Sequence, residues 1–134
     1  MSIDRIIPVL LDLSLTDPKV IEDVTEGDEA FLCYLCKAKI TEKKYIISIS
    51  GNTPYHSFTN PYGFSFNVIT VSYCEMIIEG SSPVSEHTWF PGYCWTVLSC
   101  AGCSEHLGWR FISVKNKIPG SFYGLIRDKL ILSV

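Results

Sequence analysis

Two Cys-x-x-Cys pairs, Cys33/Cys36 and Cys100/Cys103, constrain this chain more tightly than any other feature. Two residues between thiols let a tight knuckle aim both sulfurs at one point, and two knuckles complete a tetrahedral zinc site. Cys36 and Cys100 are separated by 63 residues, too many for a small zinc ribbon. The metal is therefore expected to pin together two distant parts of a larger fold. A disulfide framework explains the cysteines less well, because such frameworks belong to shorter secreted chains with denser cysteine patterns. Cys74 and Cys94 are left over and read as small buried hydrophobes, the usual fate of a free cysteine.

At 134 residues, 47% of them hydrophobic, the chain is long enough for one domain with a substantial core. Zinc is expected to add to that stability rather than supply all of it. The net charge is −3, and four thiolates around one Zn²⁺ make it about two units more negative. Such a balance disfavours a nucleic-acid partner. Near the N-terminus the apolar run Ile6 to Leu11 is interrupted by Pro8 and flanked by Asp4 and Asp12, too short and too acidic for a signal peptide or a membrane span. A soluble protein with no membrane partner is expected. Thiol-bound zinc favours a cytoplasmic or nuclear compartment over secretion.

Residues 1–28 carry acidic punctuation around short apolar stretches and read as an N-terminal extension, leaving 29–134 as the zinc-binding domain. Beyond Phe31 the signals are those of strands: Tyr45 to Ile49, Phe64 to Val71, Tyr93 to Leu98 and Trp109 to Val114 are rich in β-branched and aromatic residues. Turn residues separate them at Gly51 to Pro54, Asn60 to Gly63, Gly80 to Pro83 and Phe90 to Gly92. Only Ser121 to Leu130 has a weak helical pattern. The expectation is an antiparallel all-β fold in which the two cysteine knuckles meet at one end.

All three tryptophans, Trp89, Trp95 and Trp109, fall within residues 86–111, together with Phe90, Tyr93 and Phe111. A strand through Trp109 and Phe111 places both rings on one face and Arg110 on the other. The turn at Phe90 to Gly92 would let Trp89 and Trp95 converge. On spacing alone, core filling is the commoner role for tryptophans in a small β domain.

The segment Glu86-His87-Thr88-Trp89-Phe90-Pro91-Gly92-Tyr93-Cys94-Trp95-Thr96-Val97, with Cys100-Ala101-Gly102-Cys103 and His106-Leu107-Gly108-Trp109-Arg110-Phe111 after it, resembles the CULT domain family, the thalidomide-binding domains typified by that of cereblon. Cys33 to Cys36, Asn60-Pro61-Tyr62-Gly63 and Phe122 to Arg127 belong to the same likeness, which covers roughly residues 30–130. It does not extend to cereblon's protease-like N-terminal domain or its adaptor-binding region, so association with a ubiquitin ligase is left open.

The resemblance implies two antiparallel sheets meeting at an angle and pinned by a four-cysteine zinc, a β-tent. It also implies that Trp89, Trp95 and Trp109 wall an aromatic cage with Phe111 as its floor. His87 and Trp89 would hydrogen-bond a cyclic imide, largely through backbone, and Asn60 would reach the projecting part of the ligand. The implied partners are glutarimides such as thalidomide and C-terminal cyclic imides on proteins. On an extended strand the C=O of His87 and the N–H of Trp89 would share one edge and meet both halves of an imide. Tyr62 and Phe66 stand where the family pattern has histidines, and Cys94 where it has alanine.

Two other readings compete. A methionine sulfoxide reductase-like enzyme on a related zinc β-fold would need Cys74 or Cys94 as a nucleophile of lowered pKa, whereas Cys74 adjoins Glu75 and Cys94 is flanked by aromatics. An RNA-end sensor would need a basic face, yet Lys37, Lys39, Lys43 and Lys44 form a cluster interrupted by Glu42. His56, His87 and His106 lack the carboxylate spacing of a catalytic metal site, and His106 reads as a structural histidine beside the second knuckle. A binding domain without catalytic residues is the expectation.

Overall fold

The computed structural model describes residues 29–49, 51, 53–80 and 82–133; the expected N-terminal extension at 1–28 lies outside them. Among the described residues nine strands run in chain order: β1 (Ala30–Cys33), β2 (Lys39–Glu42), β3 (Tyr55–Thr59), β4 (Ser65–Val71), β5 (Ile77–Glu79), β6 (Tyr93–Cys100), β7 (His106–Ser113), β8 (Ser121–Ile126) and β9 (Leu130–Ser133). They form a three-stranded sheet, β2-β1-β9, and a six-stranded sheet, β3-β4-β8-β7-β6-β5. Among the described residues every strand pairing is antiparallel. Among the described residues there is no α-helix, and none long and apolar enough to cross a membrane.

The larger sheet is covered on both faces, because side chains alternate along each strand. One face carries Ile69, Val71, Leu98 and Leu125, which pack with Cys33 and Ile40 of the smaller sheet and with Cys100 and Leu107. This is the core between the sheets, and two of the metal-directed cysteines belong to it. The other face carries Val68, Trp109, Phe111, Phe122 and Ile126, packed with Ile49, Phe90 and Tyr93. Arg110 points away from Trp109 and Phe111, as the two-residue period requires, and pairs with Glu79 at 2.9 Å.

Two sequence expectations fail. Ser121 to Leu130 is not helical: β8 is an inner strand between β4 and β7, followed by a 3-10 turn at Arg127–Lys129. A local pattern is overridden here by sheet pairing, and Gly124 permits the packing, since a Cβ there would lie 3.0 Å from Phe111 and Val68. Nor is Tyr45 to Ile49 a strand. Lys43–Tyr45 is a 3-10 turn and Ile46 makes a single bridge to Val71. The isoleucines serve as a buried crossing between cores, Ile46 packing on one cluster and Ile47 and Ile49 on the other. Burial, not ladder pairing, explains their β-branched composition.

Candidate functional site: a four-sulfur metal centre and an aromatic cluster

The two knuckles share one hydrogen-bond pattern. Cys33 N–H donates to Ala38 O and Lys37 N–H to Cys33 O, just as Cys100 N–H donates to Glu105 O and Ser104 N–H to Cys100 O, at 2.8–2.9 Å. Lys37 and Ser104 hold the matching left-handed position, with φ of 67° and 69°. Each loop thus turns its two sulfurs toward the other. All four sulfurs lie within 4.8 Å of one another, with Cys33 Sγ and Cys103 Sγ 3.6 Å apart and Cys36 Sγ and Cys100 Sγ 3.5 Å apart. A tetrahedron with Zn–S bonds of about 2.3 Å has edges of about 3.8 Å, so the sulfurs fit zinc closely.

Gly102 completes the cradle: a Cβ there would come within 3.0 Å of Cys36 Sγ. The thiols are unequal by themselves. The backbone at Ala38 hydrogen-bonds Cys36 and lowers its pKa, whereas burial raises that of Cys100. A dication at the centre overrides this difference, because coordinated thiols lose their protons. Beside the centre, Tyr34 Oη donates to Glu105 at 3.0 Å and Lys129 pairs with the same carboxylate. This clasp joins the same two loops without metal.

The tryptophans divide their roles. The β6/β7 register pairs Trp95 with Phe111 and Val97 with Trp109, which places all four on one face. Trp89 meets Trp109 at a right angle, with ring centroids 4.8 Å apart and planes at 79°. Trp109 is 8% exposed, while Trp89 and Trp95 are half-buried. Trp95 donates its indole N–H to Glu86 O at 2.7 Å, and its backbone bridges Val84 in both directions. It therefore tethers the segment that carries His87 and Trp89. Phe111 is 1% exposed and packs against Phe90 and Phe122, deep in the core.

An open cleft of about 380 Å³ lies beside this cluster, lined by Thr59, Asn60, Pro61, His87, Thr88 and Trp89. Asn60, His87 and Trp89 are thus brought together in the cleft lining, whereas Trp95, Trp109 and Phe111 do not line it. Asn60 Oδ1 accepts the Tyr62 and Phe64 N–H groups at 3.0 Å, so any contact from Asn60 to a ligand falls to its Nδ2. The extended-strand expectation for His87 and Trp89 is overturned. His87 has φ of 58° and sits in a turn, so the strand rule that aligns a C=O with the N–H two residues later does not govern this segment.

The sequence reading missed Phe58 and noted Phe66 only as a replacement for a histidine of the family pattern. Phe58 stacks on Trp89, with centroids 4.7 Å apart and planes at 8°, and Phe66 meets Trp109 edge-on at 5.3 Å. Their signal was available as a symmetry: Phe58 and Phe66 face each other across the hairpin that turns at Asn60 to Gly63. Of the histidines, His106 bonds Gly108 O at 3.0 Å and meets the Trp109 ring edge-on, while His56 stacks on Phe58. Of the two remaining cysteines, Cys94 is half-buried, while Cys74 is buried and its thiol pushed up by that burial.

Comparison with known proteins accords with this geometry. The family model described as "Yippee zinc-binding/DNA-binding /Mis18, centromere assembly" matches residues 29–131. Protein cereblon of Danio rerio is 34% identical over 114 residues, covering 84% of this chain and 26% of the relative. That of Gallus gallus is 36% identical over 112 residues, covering 81% and 25%. The chain therefore spans about a quarter of the length of these relatives. The solved structure titled "Crystal Structure of Mis18 'Yippee-like' Domain" has a TM-score of 0.53 at 18% identity and covers 79% of this chain and 95% of its own, a likeness of fold. The family's zinc and the four converging sulfurs identify structural Zn²⁺ as the cofactor. The chain belongs to the Yippee-Mis18 family of zinc-binding domains, and over most of its length it is similar to about a quarter of protein cereblon.

Proposed function

We propose that this domain is a zinc-stabilised, non-catalytic module of the CULT type that binds cyclic imides: glutarimides, thalidomide-like molecules and C-terminal cyclic imides on proteins. The observation that carries the reading is the right-angled contact of Trp89 with Trp109, Trp89 lining a cleft together with Asn60 and His87. Two perpendicular indoles suit a flat, neutral ring, which gains stacking and apolar burial there. Trp95 contributes as tether and wall, and Phe111 supports the cluster from the core. An uncyclised glutamate would carry an unpaired charge into a desolvated site, which is costly. Selectivity for the cyclised form follows from that penalty.

The competing readings lose support for named reasons. A sulfoxide reductase needs an accessible thiolate, and the Cys74 thiol is buried and raised in pKa. Nucleic acid needs unneutralised cations, but of the four lysines in the cluster Lys39 and Lys44 pair with Glu42 and Lys43 pairs with Glu29. The test is binding of thalidomide or a simple glutarimide. Wild-type protein is expected to gain thermal stability and change its tryptophan fluorescence, and Trp95→Ala to lose both responses. No response to any imide at about millimolar concentration, well beyond useful recognition, would overturn the assignment.

A further inference from the structure

The segment between β5 and β6 holds Trp89 with little backbone pairing of its own. Val84 bridges Trp95, and the Trp95 indole holds Glu86 O. His87 to Pro91 must therefore be ordered largely by side chains. The β3/β4 hairpin supplies them. Phe58 lies flat on one face of Trp89 and meets Phe90 edge-on at 5.3 Å. Phe66, opposite it, lies against both Trp109 and Trp89, at 5.3 and 6.1 Å.

We propose that Phe58 and Phe66 are positioning residues: they hold Trp89 and the 86–92 segment at the Trp109 corner before a ligand arrives, so that the site is presented already assembled. Stacking with Phe58 covers one face of the Trp89 indole, and Trp109 meets the same ring at a right angle. Ordering accomplished in the free protein is not charged again on binding, which tightens affinity without any new ligand contact. The affinity consequence rests on the imide reading above; the ordering of the segment does not. Neither phenylalanine lines the cleft, so their effect passes through Trp89.

Hydrogen exchange on the ligand-free, zinc-loaded protein tests the ordering. Phe58→Ala is expected to speed exchange across residues 86–92 by about tenfold, on the scale of one lost aromatic pair, while β6, β7 and zinc content stay as in wild type. Phe58→Tyr should restore protection, and Phe58→Leu serves if the alanine variant does not fold. Unchanged exchange in 86–92 would overturn the proposal. So would an even rise across β6 and β7, which would mark Phe58 as general core filling. Thalidomide binding by Phe58→Ala should weaken about five- to tenfold and recover in Phe58→Tyr. A wild-type protein that binds no imide would refute the ligand assignment while the exchange result still decides this one.

Discussion

Removing the metal should separate what zinc contributes from what the core contributes. Cys33 and Cys36 lie at the end of β1 and in the turn before β2, on the smaller sheet, whereas Cys100 and Cys103 lie at the end of β6 and in the turn before β7, on the larger. Zinc is thus a cross-link between sheets that closes a loop spanning the 63 residues between Cys36 and Cys100. The chain-entropy relation for a cross-link of that span gives about 4 kcal/mol. Cys33 and Cys100, both 0% exposed, would in addition be left as buried thiols. For a domain of this size about 4 kcal/mol corresponds to a fall of roughly 15–30 °C in the unfolding midpoint. The assay is thermal unfolding by circular dichroism before and after chelation, with zinc then restored. Exchange protection should fail first in β1, β2 and β9, which reach the larger sheet through the sulfurs and the core around Ile40. A midpoint shift of a few degrees only, with zinc confirmed lost, would refute the cross-link argument.

Three further outcomes follow from particular residues. Phe111→Ala should cost about 3–5 kcal/mol in denaturant unfolding, since the ring is buried against Phe90 and Phe122; a loss below about 1 kcal/mol would deny it a core role. Burial lowers the pKa of His56, so the unfolded chain binds a proton there more readily than the folded one. Its contribution to stability is complete above the unfolded value of about 6.5 and declines as pH falls from there toward the depressed folded value. His56→Phe should flatten that part of a stability-versus-pH curve, and an unchanged slope would discount the effect. Cys74, raised in pKa by burial, should resist alkylation by iodoacetamide in the zinc-loaded protein at neutral pH. Rapid labelling there, read by peptide mass, would contradict the packing.

The parts of the fold that short-range chemistry governs were legible in the sequence. A Cys-x-x-Cys spacing shapes its own turn, so the metal centre could be read from four residues, and the alternation through Trp109 and Phe111 assigned each ring to a face of β7. The aromatic family motif likewise pointed to the region around Trp89. What only the tertiary structure decided depends on contacts between distant segments. Pairing with β4 and β7 turned the helix-like stretch at Ser121 into an inner strand, and burial between two cores made Tyr45 to Ile49 a crossing. The Asn60 turn consumed the side-chain oxygen of a residue expected to reach a ligand, and His87 entered a left-handed turn where an extended edge was expected. Phe58 met Trp89 only because strand register delivers it there. Local spacing fixes where one residue stands relative to its near neighbours, whereas the partner on its other side is chosen by the packing of the whole chain.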